Sequence, residues 1–463
     1  MNHNKISARA NIILTLEKIH QGQSLSVLLD NLLNGIKDNE KAFAHELLLG
    51  TLRQWFAMSR IGESLIKVPP TDNAIICALN MGLYELLYMN TADYAVLNET
   101  INALKSLNKN YGTGLVNAIL RKVADDKKKY QKKVAKNHSL PNWLAKQIKQ
   151  DWGEYYETLG QSLRQPAPVF IRFHHYQIGD MQALYELQGL DVFKKQENTT
   201  CCIEFENDDD TTICRDVSAY QATQNITHLP IFKEGKLTIQ DKHAQIAGNI
   251  ADAIMTYLTW HNTNKTYHLL DACTAPAGKL THWLDCLLNN EYPPFDFQLT
   301  AIDNDEHRLT RVYENIKRLG FDGMLNNNLH IKWADATTFK ADTLFDVIML
   351  DAPCSATGVM RRHPDIGLLR QPDDIDKIVV LQGQILDNLW QSLVVGGYLL
   401  YITCSILKAE NTEQMTAFLA RHDNAKEIKL MSHQGIAQTV GIQYLPLNKD
   451  DGDGFYYALL QKL

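Results

Sequence analysis

The chain has 463 residues, 45% hydrophobic and 21% charged, which is too long for one ordinary core and ordinary for a soluble globular protein, so two or three domains are expected. No apolar run is long enough to span a bilayer, and MNHNKISARANII lacks the charged, apolar, small-residue order of a signal peptide, so a cytoplasmic protein is expected. The net charge of −7 argues by itself against a nucleic-acid partner, but residues 1–140 carry 18 Lys/Arg and 12 Asp/Glu (+6), while the remainder carries 28 (46 − 18) and 41 (53 − 12), or −13.

The first 140 residues read as helical. ARANIILTLEKI, FAHELLLGTLRQWFAM, AIICALNMGLYELLYM and VLNETINALKSL each place apolar residues at i, i+3, i+4 and i+7. Pro69-Pro70 and Asn110-Tyr-Gly112 supply the breaks between them. Residues 1–140 are therefore predicted to be a compact all-α domain. Its charge excess lies in RKVADDKKKYQKKVAK, 121–136, with eight bases and two acids; this run reads either as a solvated helix end or as a phosphate-contacting segment. Residues 141–235 read as a small α+β module: two short helical pieces, a strand in PAPVFIRFHHY, a helix in MQALYELQGL, then a polar, strand-poor stretch containing the acidic ENDDD.

From 236 to 463 fully apolar strands alternate with helices: YHLLDAC (267–273), QLTAIDND (298–305), LHIKWAD (329–335), FDVIMLDAPC (345–354) and GGYLLYITCS (396–405). That pattern predicts an α/β domain with a parallel, doubly wound, Rossmann-like sheet. Ligands of such sheets bind outside the carboxyl ends of the strands, where this sequence concentrates its chemistry. Asp271, Asp303, Asp335 and Asp351 each close a strand. The turn Asp271-Ala272-Cys273-Thr274-Ala275-Pro276-Ala277-Gly278-Lys279 lacks the glycine patterns that cradle pyrophosphate or nucleoside triphosphates. It suits a donor without phosphate, such as the methionine end of S-adenosyl-L-methionine. Asp303 is placed to accept from ribose hydroxyls and Asp335 from an adenine amino group.

Eight sparse cysteines without a CxxC pair argue for reduced thiols and against a zinc site. Cys77 and Cys286 lie inside helical runs and read as core residues, whereas Cys354 and Cys404 each follow the last apolar residue of a strand. A thiolate adding to carbon 6 of a pyrimidine turns the ring into an enamine, so carbon 5 can attack an electrophilic methyl group. The carbon 5 proton must then leave and the thiolate be expelled, which gives a second thiol a task. Asp351, if protonated, can donate to ring nitrogen N3 and stabilise the charge that addition creates. Lys279 can lower a thiol pKa or orient Asp351.

These residues resemble the RNA cytosine-C5 methyltransferases: DACTAPAGK their cofactor loop, DAPCSATG their proline–cysteine motif, YITCS their threonine–cysteine motif. RRHPDI (361–366), DGDGFYYALL (451–460) and LTIQDKHAQ (237–245) match further segments. The resemblance implies that Cys404 is the nucleophile and Cys354 the release residue. VLNETINALKSLNKNYGTGLVNAILRKV is similar to the NusB RNA-binding fold. The two halves together resemble bacterial 16S ribosomal RNA (cytosine-967-C5)-methyltransferases of the Sun/Fmu type, which implies 16S ribosomal RNA, naked or in an early assembly intermediate, as partner of a monomer. Arg308 matches a family arginine that reaches cofactor or RNA, or else sits on a solvated helix face. Arg361, Arg362 and His363, after the proline–cysteine loop, are expected at the mouth of the site against phosphates or flanking nucleotides, so base flipping or a single-stranded substrate is implied. Ala277 departs from the family's glycine; a position with φ > 0 would penalise its methyl, and the change is expected to be tolerated. The alternative function is an RNA-binding ribosome-assembly factor with an inactive methyltransferase domain; a methyltransferase for protein or small molecules leaves the two thiols without a purpose.

Overall fold

The computed structural model describes residues 6–136, 138–205, 211–289 and 292–463. The chain divides into two compact units: residues 1–166 with 359–372, and residues 167–358 with 373–463.

The first unit is helical, as the periodicity predicts, and begins with Ala8–His20, Leu25–Asn34, Asp38–Arg53, Trp55–Leu65 and Asn73–Tyr88. Ser7, Ser24 and Asp72 cap three of these helices, each side chain accepting a backbone N–H of the first turn, a contact worth about 0.5–2 kcal/mol. Asn73–Tyr88 is central, buried from Ala74 to Leu87 except Ile76. Gly50 lets it approach closely, since a Cβ there would lie 2.0 Å from the Tyr84 ring. Glu85 is buried beneath Arg9, whose guanidinium reaches both carboxylate oxygens at 2.5 and 2.9 Å.

The helical unit continues past residue 140, the boundary expected from sequence, through Asn142–Trp152 and Tyr156–Ser162. Arg164 ties this end down. Buried, it donates to Gln54 Oε1 (2.7 and 2.9 Å), the Val134 carbonyl (3.0 Å) and the Tyr88 hydroxyl (2.8 Å). The distant segment 359–372 folds into the same unit. Asp365 accepts the Leu25 N–H at 2.9 Å, and Arg53 donates to the Arg361 carbonyl at 3.0 Å.

In the second unit a small antiparallel sheet has the order β2-β5-β1-β6, formed by β1 Phe170–Phe173, β2 Phe193–Lys195, β5 Tyr220–Ala222 and β6 Leu237–Ile239. Phe173, with Phe193 and Tyr220 packed edge-on, centres its core. Between β2 and β5 lies the hairpin of β3 Thr199–Phe205 and β4 Thr211–Val217. The stretch expected to be strand-poor therefore carries four strands. The period-2 burial of β3, with Thr199, Cys201, Ile203 and Phe205 inside, is the cause; the ENDDD segment falls outside the described residues. Cys202 and Cys214 face each other across this hairpin and are joined as a disulfide. This corrects the expectation of reduced thiols: directly opposed positions on antiparallel strands put two side chains on one face within bonding reach.

The main sheet has the order β4-β3-β12-β15-β11-β10-β7-β8-β9. Its parallel part comprises β7 Thr266–Ala272, β8 Asp296–Asp303, β9 Leu329–Trp333, β10 Phe345–Asp351 and β11 Leu393–Thr403, the strands anticipated from the apolar runs. The antiparallel flank, β12 Ala425–Met431 and β15 Phe455–Lys462, joins it to the β3–β4 hairpin; β13 Ile436–Ala437 and β14 Ile442–Tyr444 pair beside β15. Within the parallel part, chain direction across the sheet reverses between β7 and β10. A doubly wound sheet opens its ligand crevice at that switch point. The residues LTIQDKHAQ brace this end: Asp241 Oδ1 accepts the N–H groups of His243 (2.9 Å) and Asp453 (3.0 Å), fixing the approach to β15.

Candidate active site

At the switch point, the turns after β7, β8, β9, β10 and β11 enclose a cleft of about 280 Å³. Of the residues singled out from sequence, Cys273, Ala275, Asp303, Arg308, Asp335, Asp351, Cys354 and Cys404 line it. Asp271, Ala272, Pro276, Ala277, Gly278 and Lys279 form or back the turn without lining the cleft.

Strand pairing brings the two thiols together. Strands β10 and β11 are parallel neighbours with Asp351 opposite Ile402, and the pairing runs on through the Ala352 N–H to the Ile402 carbonyl at 2.9 Å. The loops leaving the two strand ends start side by side. They stay tied: the Gly358 N–H donates to the Cys404 carbonyl (2.9 Å), and Gly454 donates to the Gly358 carbonyl (2.9 Å). A Cβ on Gly358 would lie 2.3 Å from the Gly454 oxygen, so only glycine allows this approach. The sulfurs of Cys354 and Cys404 end 3.4 Å apart. The hydrogen bond to Cys404, burial and the nearby Glu410 carboxylate all push the Cys354 thiol well up. At that separation either sulfur can donate to the other.

Lys279, first turn of the helix Gly278–Asn289, reaches Asp351 Oδ2 at 2.6 Å. Burial alone would lower its pKa, but the Asp351 carboxylate outweighs this and the net shift is upward. The contact ties Lys279 to Asp351 at the strand ends. Asp271 is 1% exposed; it accepts from the Thr274 hydroxyl through Oδ2, while Oδ1 has no hydrogen-bond partner. Burial pushes its carboxyl up to about 7, opposed by the Thr274 hydrogen bond and reinforced by Asp351. Asp303 accepts the Ala275 N–H (3.0 Å) and the Asp305 N–H (3.1 Å), so it holds the turn as well as facing the cleft. Arg308 donates to the Ala275 carbonyl at 2.7 Å and lies 3.7 Å from Asp303; it braces the turn after β7. Asp335 is exposed and accepts the N–H and hydroxyl of Thr337, both at 2.8 Å.

Ala277 adopts φ +80° and is fully buried, so the position does require the left-handed region, at a cost of roughly 1–2 kcal/mol for a residue with a Cβ. The expectation for Arg361 needs correction. It is 0% exposed within the helical unit, and an enclosed guanidinium is not presented to phosphates. Arg362 is half-buried and His363 exposed. Two features had no forecast. Leu381 and Ile385, from the helix Pro372–Gln391, give the cleft an apolar wall. Glu410, buried, binds the residue that follows each thiol. The repeated Cys-Ser dipeptide (Cys354-Ser355, Cys404-Ser405) was the available signal. Among the described residues, no group of three His, Cys, Asp or Glu side chains is arranged to hold a metal ion, and no helix is long and apolar enough to cross a membrane.

Residues 255–461 match the family described as 16S rRNA methyltransferase RsmB/F, and residues 6–125 match the NusB family. The chain is 35% identical over 455 residues to ribosomal RNA small subunit methyltransferase B of Serratia proteamaculans, covering 96% of each, and 34% identical over 470 residues to that of Klebsiella pneumoniae, covering 99% of each. Its fold is shared by the crystal structure of PH0851, with a TM-score of 0.72 at 19% identity over 98% of this chain and 99% of that one. With its RsmB/F match over the thiol-bearing sheet, its NusB match over the helical unit and identity sustained along the whole length, this chain belongs to the ribosomal RNA small subunit methyltransferase B family, a family of RNA methyltransferases.

Proposed function

We propose that this methyltransferase transfers a methyl group from S-adenosyl-L-methionine to carbon 5 of a cytosine in 16S ribosomal RNA, the family's cytosine 967, through a covalent bond between Cys404 and carbon 6. The observation that carries this is the 3.4 Å approach of two cysteine sulfurs beside Asp351 in the switch-point cleft. Methylation at nitrogen or oxygen has no use for such a pair.

The residues present fit the cofactor. The cleft combines acidic side chains with the apolar surface of Ile302, Leu381 and Ile385, which suits a molecule with a cationic end and a purine. Asp271 backs the turn with one buried oxygen that has no hydrogen-bond partner, adding acidic character behind the cleft for a cationic donor group. Asp303 and Asp335 would hold the ribose and adenine. The cofactor supplies an electrophilic methyl; every other task falls to the chain and the RNA.

The Cys404 thiolate forms the bond to carbon 6, and the displaced electron pair makes carbon 5 nucleophilic. Asp351, held by Lys279, faces N3, and in its protonated form it donates to N3 and offsets the negative charge that addition puts on the ring. After carbon 5 is methylated, its proton passes to the Cys354 sulfur, which enters that step as a thiolate. The electron pair returns to the C5–C6 bond, and the Cys404 thiolate is expelled. The base must be extruded or single-stranded to reach the thiols. The NusB-like unit, with its basic helix Lys127–Ala135, supplies sequence-independent phosphate contacts. The enzyme acts as a cytoplasmic monomer on 16S RNA, naked or in an early assembly intermediate. Mass mapping of 5-methylcytosine in ribosomal RNA from cells with and without the protein tests the assignment: one cytosine of 16S RNA should lose its methyl group, and an unchanged map would refute it.

A further inference from the structure

A buried carboxylate outside the cleft lining connects the two thiol loops. Glu410 lies after β11, fully buried, and its two oxygens face donors from both loops. Oε1 accepts the Ser355 N–H at 2.6 Å; Oε2 accepts the Ser355 hydroxyl at 2.6 Å and the Ser405 hydroxyl at 2.5 Å. Ser355 directly follows Cys354, and Ser405 directly follows Cys404. The backbone at Glu410 is fixed in turn, since the Tyr401 hydroxyl in β11 donates to its carbonyl at 2.8 Å. The next residue, Asn411, donates to the Ser405 carbonyl at 2.9 Å and accepts from the Thr403 hydroxyl at 2.6 Å.

Burying a carboxylate costs several kcal/mol unless hydrogen bonds replace its water, and well-packed apolar residues would fill the space at less expense. Here three of the replacement bonds come from residues adjacent to a sulfur. Main-chain pairing of β10 and β11 aligns the strand ends, but both thiols lie two or three residues beyond that pairing. Something past the strands must hold them together.

We propose that Glu410 is a positioning residue for methyl transfer: it clasps the loops of Cys354 and Cys404 and sets the distance between their sulfurs. The proposal rests on the roles given to the two thiols above. The carboxylate accepts one N–H and two hydroxyls from the two thiol loops. Glutamine would turn an N–H₂ either toward the Ser355 N–H, losing that bond, or toward the hydroxyls, which must then reverse to accept it.

The test uses the full-length protein. Glu410→Gln should keep its thermal transition and its affinity for S-adenosyl-L-methionine, measured by calorimetry. Its kcat on 16S RNA should fall about 10²-fold, the penalty for misplacing a catalytic group by an ångström, with KM for RNA little changed. Diamide-driven disulfide formation between Cys354 and Cys404, followed by peptide mass spectrometry, should slow as the sulfurs separate; a purely structural role would leave that rate and the kcat-against-KM split unmoved. Unchanged kcat and unchanged cross-linking in folded Glu410→Gln would overturn the clasp. If that variant fails to fold, Ser405→Ala, which deletes one donor, carries the test: a lower kcat with slower cross-linking supports the clasp, and wild-type values of both overturn it. Cys404→Ala is the control. If it stays active, the thiol roles themselves fail; if it is inactive while Glu410→Gln is fully active, only the clasp fails.

Discussion

Removing the sulfurs one at a time separates their roles quantitatively. In Cys354→Ala the nucleophile remains but loses the thiol that lies 3.4 Å away. A hydrogen bond of this kind contributes about 0.5–1.5 kcal/mol, so addition of Cys404 to carbon 6 should slow about tenfold at most. Release depends on removing the carbon 5 proton, and loss of a positioned acid–base group costs roughly 10²–10⁴-fold. Addition slowed by ten and release slowed by at least a hundred leave the enzyme stranded on its RNA. Single-turnover mixtures of Cys354→Ala with S-adenosyl-L-methionine and 16S RNA should therefore show a protein–RNA band that survives denaturing electrophoresis. Cys404→Ala should show neither band nor methylation. A band from Cys404→Ala and none from Cys354→Ala would reverse the two roles; full turnover by both variants would remove covalent catalysis altogether.

The Asp271 carboxyl, raised by burial to about 7 from its ordinary 3.8, binds its proton more tightly folded than unfolded, so its contribution to stability is present at low pH and is lost as pH rises through 7. A cationic donor group favours the ionised form, so the apparent Kd for S-adenosyl-L-methionine should fall roughly tenfold between pH 6 and 8, and Asp271→Asn should flatten that profile in calorimetry; a pH-independent Kd in the parent enzyme refutes the pairing. Gly358→Ala drives a methyl against the Gly454 oxygen and, at 2.8 Å, the Cys404 oxygen; urea unfolding should show a loss of about 1–3 kcal/mol, with turnover falling alongside, and wild-type behaviour would mean that the two loops adjust freely. Lys128 and Lys132 line one basic groove with three other lysines. If they meet phosphates, Lys128→Ala with Lys132→Ala should lower the log–log salt slope of RNA binding by about 1.8 in fluorescence anisotropy; an unchanged slope marks that helix as a solvated face.

What the sequence discloses and what it hides follow from the range of the interactions. Four of the five parallel strands are legible because burial writes them as largely apolar runs, the edge strand β9 having only Leu329 buried, and each leads to the acid or thiol that marks the ligand side. The hairpin β3–β4 is not, because its inward residues include threonine and cysteine and its outer face is polar. Nothing local shows that β12 and β15 carry it onto the main sheet. Arg361 and Arg362 have the composition of a surface loop. That 359–372 folds among helices belonging to the first 166 residues is a long-range fact that no window of sequence contains. Ala277 is the intermediate case: the requirement for φ > 0 could be stated from the turn, and the strain it stores is measured only by the φ of +80°. The thiols belong to the same argument. Each motif announces one cysteine at one strand end, but their contact is a property of register, of Asp351 standing opposite Ile402 on neighbouring strands. Had β10 and β11 been separated by one further strand, roughly 4.8 Å more would lie between the loops, and the same two motifs would hold two sulfurs unable to serve one base.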